Sequence, residues 1–96
     1  MLVLVTYDVN VKTSAGRSRL RQVSKLCCNF GQRVQNSVFE CDLDPAQLRA
    51  FKSELYDIID PKTDSVRFYN LGKNYQSRVE HYGAKESYDS QGILMV

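Results

Sequence analysis

The chain has 96 residues, 43% hydrophobic and 25% charged, with a formal net charge of +2. That describes one globular domain, too apolar and too weakly charged for a disordered chain. No apolar run approaches the roughly 20 residues that a membrane-spanning helix needs, so no membrane partner is expected.

A surplus of two positive charges does not by itself mark a nucleic-acid binder; what matters is where the cations sit. Met1-Leu-Val-Leu-Val begins directly on a strand pattern with no basic segment before it, which favours a cytoplasmic protein over a secreted one. Cys27, Cys28 and Cys41 make no CxxC pair, and His81 is the single histidine. A zinc site needs about four ligands, and Ser-His-Asp or Cys-His centres need a histidine in the right company, so these chemistries are excluded. The cysteines read as core or boundary thiols. No GxGxxG or Walker-type phosphate loop is present.

Leu2 to Val9 is predicted as the first strand. Leu2, Leu4 and Thr6 fall on one face, and Val3, Val5 and Tyr7 on the other. Both faces look buried, which suits a central strand covered on two sides. Helices can cover one face of so small a domain, and a second copy of the chain is the economical cover for the other. Asn10 to Ala15 is a polar loop in which Ser14 can cap the helix that follows.

Gly16 to Phe30 carries an apolar stripe of Leu20, Val23, Cys27 and Phe30 at helical spacing, and Gly31 supplies its stop. Gln32 to Leu43 is too long and mixed for one flat strand; it reads as two strands, or one broken near Asn36-Ser37. Asp44-Pro45 starts a second helix that runs to about Ile59, with Leu48, Phe51, Leu55 and Ile58 facing inward. Asp60-Pro61-Lys62 breaks it, and Ser65 to Leu71 is the last strand of the main sheet. Ser77 to Tyr82 is expected to add a short strand to a sheet edge, in the partner copy.

The order β-α-β-β-α-β is the split arrangement of ferredoxin-like α+β domains. The expectation is a ferredoxin-like domain over residues 1–83 with an additional C-terminal strand, working as a homodimer, and a tail over 84–96.

Fold alone does not give function. Asp8 stands at the end of the first strand, where it is either a loop-capping carboxylate or half of a metal site. Two such carboxylates across a two-fold axis suit Mg²⁺, which keeps several waters and uses few protein ligands. Arg17, Arg19, Arg21 and Lys25 put four cations on one helix, with Lys12 just before it. Cations near a helix N-terminus oppose its dipole, so this is either a solvated face or a phosphate-binding one. Arg33, Gln35, Asn36 and Ser37 can hydrogen-bond phosphate oxygens, and Phe39 either stacks on a base or packs in the core. Tyr69, Tyr75 and Tyr82, with Lys73 and Arg78, read as interface packing.

LVLVTYDV, RSRLRQVSKL, GQRVQNSVFEC and RFYNLG, at this spacing, strongly resemble the second universal CRISPR-associated protein, the small partner of the CRISPR integrase. The resemblance covers about residues 1 to 83, and VEHYGAK is similar to the variant found with type I-C systems. It implies a dimer with facing sheets, in which Asp8 and its symmetry mate hold Mg²⁺ or Mn²⁺. It implies metal-dependent endonuclease activity on single-stranded RNA or double-stranded DNA. Tyr7 and Asp8 match the strand-end pair, Arg17, Arg19 and Arg21 the helix basics, Arg33 the strand-two arginine, and Ser37 and Phe39 the SVF segment. It also implies a non-catalytic alternative: a DNA-binding scaffold that bridges integrase dimers during spacer acquisition. A small-molecule regulatory domain of the same fold is disfavoured by the arginine-rich helix.

Overall fold

The computed structural model describes residues 1–83. The four strands are β1 (Leu2–Asp8), β2 (Gln32–Gln35), β3 (Val38–Asp42) and β4 (Ser65–Gly72). They form one sheet in the order β2-β3-β1-β4, with every neighbouring pair antiparallel. Helices α1 (Ser14–Phe30) and α2 (Pro45–Ile58) link the strands and pack against each other. This is the expected ferredoxin-like α+β layout. The expected tail, 84–96, lies outside the described residues.

The helices take their ends from side-chain caps. α1 is capped by Thr13, whose Oγ1 accepts from the Gly16 N–H at 3.0 Å, so the cap falls one residue before Ser14. α2 begins with a full capping box: Asp44 accepts from the Gln47 N–H, and the Gln47 side chain accepts from the Asp44 N–H. Gly31 ends α1 with φ −165°, which is extended backbone that any residue adopts. The glycine is needed there for closeness: a Cβ would collide with Cys41 Sγ and the Glu40 carbonyl.

Val3, Val5 and Tyr7 point from β1 into the core. They meet Val23 and Cys27 of α1, Phe39 and Cys41 of β3, and Phe51 and Leu55 of α2. Phe39 and Phe51 are the largest fully buried side chains, and each contributes roughly 1.5–3 kcal/mol by leaving water. On the other face of β1, Leu4 and Thr6 are only half-buried, because both helices lie on the opposite side.

The break at Asn36-Ser37 is a tight turn between β2 and β3. Among the described residues no non-glycine has positive φ, so this turn is not of the mirror-image hairpin type. Instead the ladder slips between Arg33 and Gln35, and the extra residue takes up the twist. The strand expected over Ser77 to Tyr82 is not formed. Gln76–Arg78 makes one 3-10 turn, and Arg78 Nη1 donates to the Leu71 carbonyl at 3.1 Å. A strand exists only against an edge, and in the single chain this segment turns back along β4.

Candidate active site and nucleic-acid interface

Alternation along β1 turns Tyr7 into the core and Asp8 out to solvent. Asp8 sits opposite Ser65 at the end of the β1–β4 ladder. The two strand ends enclose an open hollow of about 280 Å³, lined by Thr6, Tyr7, Asp8, Ser65, Val66 and Arg67. Among the described residues no hydrogen-bond donor reaches the Asp8 carboxylate.

Tyr7 carries the turn beside this hollow. Its hydroxyl lies 2.8 Å from Ser24 Oγ and donates to the Asn36 carbonyl at 3.3 Å. Its backbone N–H donates to the Ser37 carbonyl at 3.1 Å. The Arg33 guanidinium also donates to the Asn36 carbonyl and sits 4.8 Å above the Phe39 ring. Tyr7, Arg33, Ser37 and Phe39 therefore meet at one corner of the sheet. Of the two readings of Phe39, base stacking or core packing, the structure shows core packing: Phe39 is fully buried, and Tyr7 is 6% exposed. Arg33 is the exposed group of this corner, and the rings hold it and the turn in place.

The cations of α1 divide into two sets. Arg17, Arg21 and Lys25 are exposed at four-residue spacing. Arg17 Nη1 donates to the Val11 carbonyl at 3.2 Å, which keeps it beside the β1–α1 loop. Arg19 turns the other way. Its Nε donates to Asp64 Oδ2 at 2.8 Å, with Asp64 completely buried at its side chain. Asp64 also accepts from the backbone N–H groups of Asn10 and Asp60, both at 3.0 Å, and from the Thr63 hydroxyl at 3.1 Å.

Burial pushes the Asp64 carboxyl upward, but these four donors, Arg19 first among them, hold it well below the usual carboxylate range. Arg19 is raised by the same hydrogen bond. Arg19 thus has a structural partner in Asp64, while the exposed cations of α1 are Arg17, Arg21 and Lys25. The sequence carried no sign of this. Asp64 looks like any acid in the five-residue loop from Asp60, and only folding brings it under α1.

Burial pushes the thiols of Cys27 and Cys41 up to about 12, which leaves them inert, as expected of core cysteines. Arg67 was not singled out in the sequence. It lines the Asp8 hollow, its Nη1 donates to the Tyr69 hydroxyl at 3.0 Å, and that bond raises its pKa. The pointer to it is its phase: Ser65, Arg67 and Tyr69 alternate on the face that carries Asp8.

Among the described residues no three His, Cys, Asp or Glu side chains converge on a common metal position. One chain therefore offers a single carboxylate at the hollow, that of Asp8. That fits half of a Mg²⁺ or Mn²⁺ site, since such ions bind through one or two carboxylates and otherwise keep their waters. Among the described residues no helix is long and apolar enough to cross a membrane.

Fold and site define a class: a ferredoxin-like domain that presents a strand-end carboxylate in an open hollow where β1 and β4 meet. The family model described as CRISPR associated protein Cas2 matches residues 1–79. The chain belongs to the Cas2 family of CRISPR-associated proteins. It is 62% identical over 96 residues, covering all of both chains, to the "CRISPR-associated endoribonuclease Cas2" of Chlorobaculum tepidum. It is 55% identical to the "CRISPR-associated endonuclease Cas2" of Halalkalibacterium halodurans, covering 99% of each. The crystal structure of Streptococcus pyogenes Cas2 at pH 6.5 superposes with a TM-score of 0.75 at 65% identity, covering 86% of this chain and all of that one.

Proposed function

We propose that two copies of the chain form a metal-dependent endonuclease that hydrolyses nucleic-acid phosphodiesters and serves, with the CRISPR integrase, in spacer acquisition. The observation that carries this reading is Asp8: exposed, without a hydrogen-bond partner among the described residues, and lining a hollow large enough for a phosphate group. Two relatives carry the names endoribonuclease and endonuclease, which supports cleavage of RNA or DNA.

The second copy follows from the sheet. Both helices lie on one face, while Leu4, Val38 and the 42% exposed Tyr69 lie on the other. A facing sheet from a second chain covers these residues and brings two Asp8 side chains together. The pair would hold Mg²⁺ or Mn²⁺, which when bound supplies charge neutralisation at the phosphodiester and activation of water. Without it two close carboxylates repel each other. Tyr7 fixes the strand end, and Arg33 and the α1 cations hold the backbone on either side. VEHYGAK supports placing the chain among the type I-C variants.

The scaffold reading has its own support in the exposed row of Arg17, Arg21 and Lys25, which binds backbone without needing Asp8. One comparison separates the two. The purified dimer and its Asp8→Asn variant are incubated with Mg²⁺ and either duplex DNA or single-stranded RNA, and both are mixed with the integrase. Cleavage is expected to vanish in the variant, while dimer and integrase assembly persist. Equal metal-dependent cleavage by the variant would sink the nuclease reading and leave the scaffold.

A further inference from the structure

β1 outlasts one of its two neighbours. Its ladder with β3 ends at Thr6 and Val38, with one further bond from the Tyr7 N–H to the Ser37 carbonyl, while its ladder with β4 runs on to Asp8 and Ser65. Among the described residues Ser65 is thus the one ladder partner of Asp8, at a strand end, where pairing opens most readily. A metal site to which each chain brings one carboxylate has no second ligand from that chain to correct a misplaced one. The backbone around Asp8 has to hold the position.

Just past Asp8 the chain is clamped. Val9 is buried in the core, and the Asn10 N–H donates to Asp64 Oδ1 at 3.0 Å. Asn10 Oδ1 accepts from the Lys12 N–H at 3.0 Å, and the Asn10 carbonyl abuts Gly16 of α1 so closely that a Cβ there would collide with it. The other half of the clamp is on β4. Asp64 immediately precedes Ser65, and its N–H donates to the Asp60 carbonyl at 2.8 Å. Its two carboxylate oxygens divide the work: Oδ2 takes Arg19 and the Asp60 N–H, and Oδ1 takes Asn10 and the Thr63 hydroxyl. Fastening α1 to the α2–β4 loop needs only Oδ2; the bond from Asn10 to Oδ1 adds the end of β1.

We infer that Asp64 is a positioning residue for Asp8. One buried side chain joins the backbone just after Asp8 on β1 to the backbone just before its ladder partner on β4, and so sets where the Asp8 carboxylate stands. This role deepens the metal-dependent nuclease reading and rests on it. Asp64 acts from the side of the helices, through Arg19 of α1, and needs nothing of the sheet face that a second copy covers.

The test titrates the full-length chain and its Asp64→Ala, Gly16→Ala, Leu43→Ala and Asp8→Asn variants with Mn²⁺ by calorimetry, well below the melting temperature of the least stable variant. Sedimentation is run alongside, and exchange of the Asn10 amide hydrogen is followed in the metal-free proteins. Leu43 is a buried core residue at the far end of the sheet, next to the Leu2–Asp42 pair, so Leu43→Ala lowers stability without reaching Asn10. Asp64→Ala is expected to keep the dimer and the stoichiometry, to speed exchange at Asn10, and to weaken Mn²⁺ binding about tenfold, as loss of an outer support does at other metal sites. Gly16→Ala favours the helix but presses on the Asn10 carbonyl, and should weaken Mn²⁺ binding too. Leu43→Ala should bind Mn²⁺ as wild type does.

Wild-type Mn²⁺ affinity in Asp64→Ala would overturn the positioning role. So would an equal loss in Leu43→Ala, which would make the effect one of stability alone, or a loss that tracks dissociation of the dimer. If Asp64→Ala does not fold, Gly16→Ala decides by displacing Asn10 from its other side, and wild-type affinity there overturns the role. If wild type and Asp8→Asn take up Mn²⁺ alike, the metal reading fails and the role falls with it. If Asp8→Asn loses Mn²⁺ and Asp64→Ala matches wild type, the metal reading stands and the positioning role alone falls.

Discussion

Asp8 and Asp64 stand one ladder position apart, since Asp8 pairs with Ser65, yet the chain treats them in opposite ways. Asp64 is enclosed by donors from Arg19, Asn10, Asp60 and Thr63. Asp8 has none among the described residues and faces an open hollow. A carboxylate whose lone pairs are already filled is architecture, and one left unsatisfied at the rim of the sheet is free to do chemistry. The same contrast separates the arginines: Arg19 is spent on Asp64, while Arg21 is exposed and Arg67 is held only by a phenol.

The largest stability effect is expected at Asp64. Asp64→Ala removes the buried half of an ion pair and strands the Asn10 and Asp60 N–H groups, at a cost of about 3 kcal/mol. In a domain this small that lowers the melting temperature by on the order of 15 °C. A melting temperature within two or three degrees of wild type, by calorimetry, would mean that the Asp64 knot is not what ties the α2–β4 loop to α1.

Acid sharpens the same contrast. The folded carboxyl of Asp64 lies below its ordinary 3.8, so its contribution is present above that pH and is lost as pH falls toward the folded value. Urea midpoints measured from neutral pH down to about pH 3 should therefore fall more steeply for wild type than for Asp64→Asn. Parallel slopes would contradict the assignment of the depressed carboxyl to Asp64.

A smaller effect separates the cations of α1. Arg17→Ala and Arg21→Ala should leave the melting temperature unchanged and flatten the salt dependence of DNA binding by about one unit for each lost contact. Arg19→Ala should do the reverse, losing stability first, because it leaves Asp64 buried without its cation. A double Arg17→Ala/Arg21→Ala variant that binds as wild type does would remove α1 from the binding surface.

Much of the fold was legible because periodicity is local. The alternation Val3, Val5, Tyr7 and the stripe Leu20, Val23, Cys27, Phe30 required only counting, and Asp44-Pro45 announced α2 directly. Asp8 was legible for the same reason, as the first charge after an apolar strand. The strand expected at Ser77 to Tyr82 was not, since its existence depends on an edge supplied from outside the segment. Arg19 could not be told from Arg21 by spacing, because the carboxylate that claims it lies 45 residues away. Arg67 became visible only once the β1–β4 register set Ser65 against Asp8.

Calorimetric titration of the chain with Mn²⁺, for wild type and Asp8→Asn side by side, bears most directly on the role of Asp8. Wild type is expected to take up one ion for every two chains, and Asp8→Asn none, with melting temperatures of the metal-free proteins within a few degrees of each other. An Asp8→Asn variant that binds Mn²⁺ with wild-type stoichiometry and affinity would contradict the claim that the unsatisfied strand-end carboxylate is the metal ligand.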